Sequence, residues 1–302
     1  MDPLSDVLSL LRPKTAISAG LDAGGEWGIQ FSAHQGIKFN TVVQGTCWVS
    51  VEGEVDAPLR IEAGDCFLLT RGRPFVFASD GAAATIDSAT IYDKAADGIA
   101  TCNGGGDFFL IGGRFSFEGD HAGLLFNALP PIVHVRDASN QAAVLRWSLE
   151  QLAMELKQGS PGGALMADYL AQIMLLQVLR LWLASGNHSG WLGALADHRL
   201  SRALSALHAE PERRWTLADL AGVAGMSRTT FAERFRNVVG QTPLDYLAVW
   251  RMRLAADRLQ RSCESVATIG FSVGYESEAA FSTAFRRVMG RTPTQYRRAG
   301  FS

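Results

Sequence analysis

A chain of 302 residues, 47% hydrophobic and 19% charged, is long enough for two domains with real cores and too apolar for extended disorder. Its net charge of −2 hides a partition: residues 1–197 hold 12 Lys and Arg against 21 Asp and Glu, whereas residues 198–302 hold 16 against 9, and all 16 are Arg. An acidic front joined to an Arg-only rear is expected when only the rear meets phosphates, and four cysteines without CxxC spacing exclude zinc fingers and a disulfide scaffold.

The chain opens on Asp2-Pro3-Leu4-Ser5-Asp6, with acids where a secretory signal carries bases. Its most apolar stretch, residues 170–184, contains Gln172, Gln177 and Arg180, so no membrane span is expected and the protein reads as cytoplasmic. Residues 1–125 read as strands and turns. Residues 39–51, 59–61, 65–70 and 74–78 are short runs rich in Val, Ile, Thr and aromatics, separated by Gly-containing breaks at 52–54, 63–65 and 104–106. That pattern predicts a small barrel or sandwich.

Residues 139–158 and 165–185 carry apolar residues at helical spacing and are split by Gly159-Ser160-Pro161-Gly162-Gly163, which predicts a helical hairpin over residues 126–185. Its second helix is apolar nearly all round, so it is expected either to pack under the barrel or to meet a partner subunit as a homodimer. Residues 186–197, with Gly186-Asn187-His188-Ser189-Gly190, read as a linker.

From residue 215 the chain repeats at an offset of fifty. Ser227, Phe231, Phe235, Arg236, Val238, Gly240, Thr242, Pro243 and Tyr246 recur as Ser277, Phe281, Phe285, Arg286, Val288, Gly290, Thr292, Pro293 and Tyr296. Identities at one gapless offset indicate a duplicated unit. Each copy has helix-turn-helix grammar. In the first, Thr216 caps a helix over 217–223, Gly225 makes the turn, Ser227 caps the next helix, and Phe231 and Phe235 pin it inward. In the second, 266–271 is the first helix, Gly274 the turn, and Ser277 caps a helix reaching Met289. Residues 244–261 form a helix between the copies.

A recognition helix enters the major groove with one face packed and the other turned to base edges. Two of them held roughly 34 Å apart reach consecutive grooves on one side of the duplex. The outward positions of the first are Arg228, Thr229, Thr230, Ala232, Glu233, Arg234 and Arg236. Arg234, Arg236, Arg286 and Arg287, with Arg251, Arg253 and Arg258 of the connecting helix, are expected at phosphates.

Residues 215–298 resemble the DNA-binding domain of the AraC/XylS family of bacterial transcription regulators. The resemblance rests on Gly240-Gln241-Thr242-Pro243-Leu244-Asp245-Tyr246, Arg251, Ala255, Leu259, Ile269-Gly270-Phe271, Gly274-Tyr275-Glu276-Ser277, Phe281, Phe285, Gly290 and Thr292-Pro293-Thr294-Gln295-Tyr296. It implies double-stranded promoter DNA and RNA polymerase as partners, with residues 198–302 as the DNA-binding domain. It places base contacts on Thr229, Ala232 and Glu233 in the first copy and on Glu278, Ala279 and Thr283 in the second. The second set lacks a long hydrogen-bond donor, so the first helix is expected to do most of the reading. Glu233 suits a cytosine amine or a salt bridge within its own helix.

The front resembles the cupin-type sensor domain that precedes this module in many members. The matching stretches are Cys47-Trp48 within 39–53, residues 61–69, Arg71-Gly72-Arg73-Pro74, Cys102 to Phe108 and Leu129-Pro130-Pro131. The fold expected overall is α+β in two domains: a cupin-like β-barrel with a helical hairpin, then an all-α double helix-turn-helix. Related sensor domains keep His where this chain has Asn40 and Phe75, and His34 alone lies nearby, so neither a metal nor another cofactor is expected and a cupin-fold enzyme with a DNA-binding tail is the remote alternative. A small-molecule effector is expected near Trp27, Phe39, Trp48 and Phe75. Arg71 and Arg73 suit an anion or a nucleotide second messenger, or else a solvated turn. Redox sensing through Cys47, Cys66 or Cys102 is the other option, against plain core packing.

Overall fold

A computed structural model describes residues 2–54, 57–81, 83–96, 98–117, 122–136, 143–158, 160–186 and 189–299. The expected positions Ser139, Gly159, Asn187 and His188 lie outside these residues.

The chain begins with a helix, α1 (Pro3–Leu11), where strands and turns were expected. Its signals are local: Asp2 accepts from the Ser5 amide as N-cap, Pro3 occupies the first turn, and Leu4, Val7, Leu10 and Leu11 share one buried face. The strands follow as β1 (Lys14–Ala23), β2 (Gly28–Phe31), β3 (Ile37–Gln44), β4 (Thr46–Val51), β5 (Leu59–Glu62), β6 (Cys66–Leu69), β7 (Phe75–Ala78) and β8 (Ile86–Asp87). The run expected over 39–51 is therefore two strands, broken at Gly45. A short helix α2 (Ala89–Tyr92), strands β9 (Ile99–Cys102) and β10 (Phe108–Ser116), helix α3 (Gly123–Phe126) and strand β11 (Ile132–Val135) complete the front.

The helical part comprises α4 (Ala143–Gln158), α5 (Gly163–Ala184), α6 (Gly190–Ala196), α7 (His198–Ala209), α8 (Leu217–Ala224), α9 (Arg228–Val239), α10 (Pro243–Arg261), α11 (Val266–Ser272), α12 (Glu278–Met289) and α13 (Pro293–Ala299). Residues 190–196, expected within a linker, are thus helical, and they bury Trp191, Leu192 and Ala194.

Two compact units emerge. One gathers Met1–Arg12, Gly119–Ala128 and Gly186–Ser302, and the other Pro13–Glu118 and Leu129–Ser185. The expected boundary at residue 125 is crossed because α1 and α3 belong with the rear helices: the Trp191 indole donates to the Leu124 carbonyl at 2.8 Å, and Arg12 lies 3.6 Å from Asp257.

In the front unit a six-stranded sheet, β11-β6-β3-β10-β1-β9, faces a five-stranded sheet, β5-β4-β7-β2-β8. Leu21, Val42, Phe67 and Leu110 from the first meet Ile29, Val49, Ile61, Phe75 and Phe77 from the second in one apolar core. β4 alternates cleanly, with Cys47, Val49 and Val51 buried between more exposed Thr46, Trp48 and Ser50. Helix α5 packs on β1, β11 and α4, and Asp168 fastens it by accepting from the Thr15 amide at 3.2 Å. It is long and apolar enough to cross a membrane by length and composition. However, Leu170, Met174, Leu175, Val178 and Leu179 are spent on the protein core.

Candidate nucleic-acid interface and sensor cavity

The duplicated sequence produces duplicated geometry. Phe231 and Phe235 stand 5.6 Å apart at 58°, and Phe281 and Phe285 stand 5.6 Å apart at 56°. Phe235 then meets Tyr246 edge-on at 6.1 Å, as Phe285 meets Tyr296 at 5.5 Å. All four phenylalanines are fully buried. Each recognition helix is capped by its serine, Ser227 accepting from the Thr230 amide and Ser277 from the Ala280 amide. Glycines with left-handed backbone close both helices, at Gly240 and Gly290.

Pinning the phenylalanines inward sets the outward face. In α9, Arg228, Thr229, Glu233 and Arg236 are exposed and Ala232 is half-buried. In α12, Glu278, Ala279, Thr283, Arg286 and Arg287 are exposed. The Thr283 hydroxyl donates to the Ala279 carbonyl at 2.9 Å, so it is turned back on its own helix. No ion pair ties Glu233 to its helix among the described residues.

Three arginines expected at phosphates make contacts within the protein. Arg234 grips Asp197 at 2.6–2.7 Å, and that carboxylate also caps α7. Its pKa lies below the usual carboxylate range: burial opposes the shift, but the Leu200 and Arg199 amides and the Arg234 guanidinium outweigh it. Arg251 donates from Nε to the Pro211 carbonyl and at 2.8 Å to that of Arg213, tying α10 to the loop before α8. Arg258 holds the Ser272 hydroxyl, tying α10 to α11. These contacts span 14 to 40 residues of sequence, so spacing along one helix cannot reveal them.

Sequence reasoning also missed a buried node between α7 and α10. His208 Nε2 lies 2.7 Å from the Tyr246 hydroxyl, its ring stacks on Trp250 at 4.2 Å, and Asp6 of α1 sits 3.3 Å from Nδ1. Burial holds this histidine neutral, its pKa pushed down to about 3. As a neutral ring, His208 shares one hydrogen bond with the Tyr246 hydroxyl through Nε2.

Within the front unit a cavity of about 280 Å³ lies between the sheets. Its wall includes Phe31, Phe75 and Phe77, Tyr92 from α2, and Lys38 and Asn40 from β3. Of the six residues expected at an effector, it takes in Phe75 alone. Phe39 packs against Phe115 at 5.0 Å, Trp27 against Phe108 at 4.8 Å, and Trp48 points to the outer face of β4. Arg71 donates to the Leu129 carbonyl at 2.9 Å, and Arg73 lies 3.6 Å from Glu54. Lys38 was not singled out because nothing in its sequence neighbourhood marks a lysine that turns inward.

Cys47, Cys66 and Cys102 are buried. Burial, with Asp65 nearby, pushes the Cys47 and Cys66 thiols up to about 12, and burial also raises that of Cys102. Among the described residues no group of three or more His, Cys, Asp and Glu is placed to hold a metal ion.

A cupin family profile matches residues 2–184, and a helix-turn-helix domain profile matches residues 220–299. The cupin match therefore spans the hairpin α4–α5 as well as the sheets. The chain is 47% identical over 300 residues to an AraC-like transcription regulator of Streptomyces lividans, covering 99% of this chain and 98% of that protein. It is 46% identical over 300 residues to an AraC-like transcription regulator of Streptomyces antibioticus, covering 99% of both chains. The helix-turn-helix transcriptional regulator AlkR of Acinetobacter baylyi is 31% identical over 305 residues, covering 98% of this chain and 99% of that protein.

Proposed function

This chain belongs to the AraC-like transcription regulators, with a cupin domain ahead of a helix-turn-helix domain, and we propose that it is a homodimer whose promoter binding is set by a small ligand in the front unit. The observation that supports DNA contact through α9 and α12 is their matched geometry: the same buried phenylalanine pair and the same serine cap leave the same helix face open in both copies. In α9, Thr229, Ala232 and Glu233 face base edges in the major groove while Arg228 and Arg236 meet phosphates. In α12, Arg286 and Arg287 meet phosphates, and Glu278, Ala279 and Thr283, without a long hydrogen-bond donor among them, contribute little base reading. Arg234 acts at one remove, holding α9 against Asp197.

The direct test is salt. Affinity for the promoter site should fall steeply with salt concentration, because phosphate neutralisation releases counterions. Arg236→Ala should lower the slope of log affinity against log salt by about 1 per bound subunit and leave the ranking of DNA sequences unchanged. A salt-independent affinity refutes DNA contact through this face.

For the signal, the cavity between the sheets favours a ligand over the two other options. Arg71 and Arg73 are engaged with Leu129 and Glu54, which argues against a nucleotide held by that pair. Thiols pushed up to about 12 are poor thiolates, which argues against redox sensing at Cys47 or Cys66. Ligand occupancy shifts the population between arrangements that engage different DNA half-sites and so alters access of RNA polymerase to the promoter. Dimerisation is supported by the outer faces of α4 and α5, where Val144, Trp147, Leu165, Met166, Tyr169 and Ile173 are all exposed. The full-length similarity to transcription regulators supports a non-enzymatic, cytoplasmic role.

A further inference from the structure

Lys38 is the unusual group of the front unit. It projects from β3 into the cavity wall, its ammonium 5.0 Å and 4.9 Å from the ring centres of Phe31 and Phe75. Among the described residues no carboxylate pairs with it, and its charged neighbour is the like-charged Arg114, so burial and repulsion lower its pKa to about 8. Asp87, the acid on the cavity wall, accepts from the Ala89 amide at 2.8 Å. Two positions along β3, Asn40 is 4% exposed and lines the same cavity, and its Nδ2 has no acceptor among the described residues. His34, edge-on to Phe75 at 5.8 Å, is held neutral with a pKa of about 4 by burial and by Lys38.

A desolvated cation beside an unanswered amide donor is costly unless an acceptor arrives. The aromatic faces answer part of the charge, and they leave both donors without a protein oxygen among the described residues. The missing partner is an anion with two acceptor atoms on an apolar body. A volume of about 280 Å³ is near the small end of ligand sites, so the body is compact, and four aromatic rings suit a planar one. We propose that this cavity binds a small aromatic carboxylate, its oxygens on Lys38 Nζ and Asn40 Nδ2 and its ring against Phe31, Phe75, Phe77 and Tyr92. The inference rests on the reading of the front unit as a ligand sensor and names the chemistry of that ligand.

The test titrates the full-length protein with benzoate, phenylacetate and 3-phenylpropionate, each beside its primary amide, by calorimetry and thermal shift. At least one acid should bind and raise the melting temperature, with its amide weaker by about tenfold or more. Lys38→Met keeps the stem and removes the charge, so without ligand it should melt no lower than wild type, and it should lose about tenfold or more of the acid's affinity. Amides binding as tightly as acids, acids binding Lys38→Met as tightly as wild type, or no acid binding at about 10 mM each overturn the proposal. Promoter affinity and its salt slope, measured on the same protein, separate the two failures: if they persist while no acid binds, the carboxylate falls and the regulator reading stands.

Discussion

His208 and Lys38 are both buried bases held below their ordinary pKa, and they tie stability to pH in different windows. For Lys38 the unfolded chain keeps a proton that the folded chain releases between about pH 8 and its ordinary value of 10.5, so its burden on the fold eases as pH rises through that range. For His208 the folded pKa of about 3 lies below the ordinary 6.5. Its contribution is complete above pH 6.5 and is lost as pH falls below it, at up to about 1.4 kcal/mol per unit. Asp6 and Asp2 face this histidine from the chain start, with burial raising the pKa of the Asp6 carboxyl, and Tyr246 and Trp250 face it from α10. Denaturant unfolding of wild type and His208→Gln should therefore show wild type more stable at pH 7.5, with the gap narrowing by about 1 kcal/mol at pH 5.5. A gap that does not change with pH would mean that His208 is not held neutral.

At the scale of elements, the two helix-turn-helix copies share a scaffold yet differ in how tightly their turns are built. Gly225 and Gly274 both have left-handed backbone, at φ +65° and +85°. A Cβ added at Gly225 meets nothing, whereas one at Gly274 falls 2.3 Å from the Glu212 carbonyl oxygen and 2.9 Å from the Arg251 guanidinium. Gly225→Ala should cost about 1 kcal/mol from backbone conformation alone. Gly274→Ala should cost at least about 1 kcal/mol more, because it also disturbs the Arg251 contacts that tie α10 to the loop before α8. Melting temperatures of the two variants check the order. These turns were legible in the sequence because their signals are local: Thr216, Ser227 and Ser277 sit at their caps, and α8, α9, α11 and α12 end within a residue of expectation. What escaped the sequence is non-local or was overridden. The capping signals of α1 lie in Asp2 and Pro3, which in composition register only as acidic charge and a turn former. Residues 190–196 follow a glycine-rich stretch that masks a buried Trp191. Arg234, Arg251 and Arg258 look like free cations until their partners, distant in sequence, are brought beside them, and Lys38 turns inward only because the second sheet supplies Phe31 and Phe75.

For the whole molecule, charge and apolar surface assign different tasks to different parts of the chain. Residues 198–302 carry net +7 and residues 1–197 net −9, so attraction to a polyanion falls to the rear of the chain. The front instead carries the exposed apolar stripe. Trp147 is 51% exposed on α4, and Leu165 and Tyr169 are 58% and 55% exposed on α5, in a hairpin whose other face already packs on β1 and β11. Such a stripe is costly in water, and the proposed dimer would cover it through a two-fold axis. Trp147→Asp combined with Tyr169→Asp should convert a dimer to a monomer in sedimentation, with little loss of melting temperature at matched protein concentration, because neither side chain supports its own subunit's core. The monomer keeps one pair of recognition helices in place of two. Its salt slope on promoter DNA should be about half that of the dimer, a far larger drop than the single charge removed by Arg236→Ala produces. If the double variant stays dimeric, the α4–α5 face is not the interface. If it becomes monomeric with an unchanged slope, only one subunit of the dimer touches DNA.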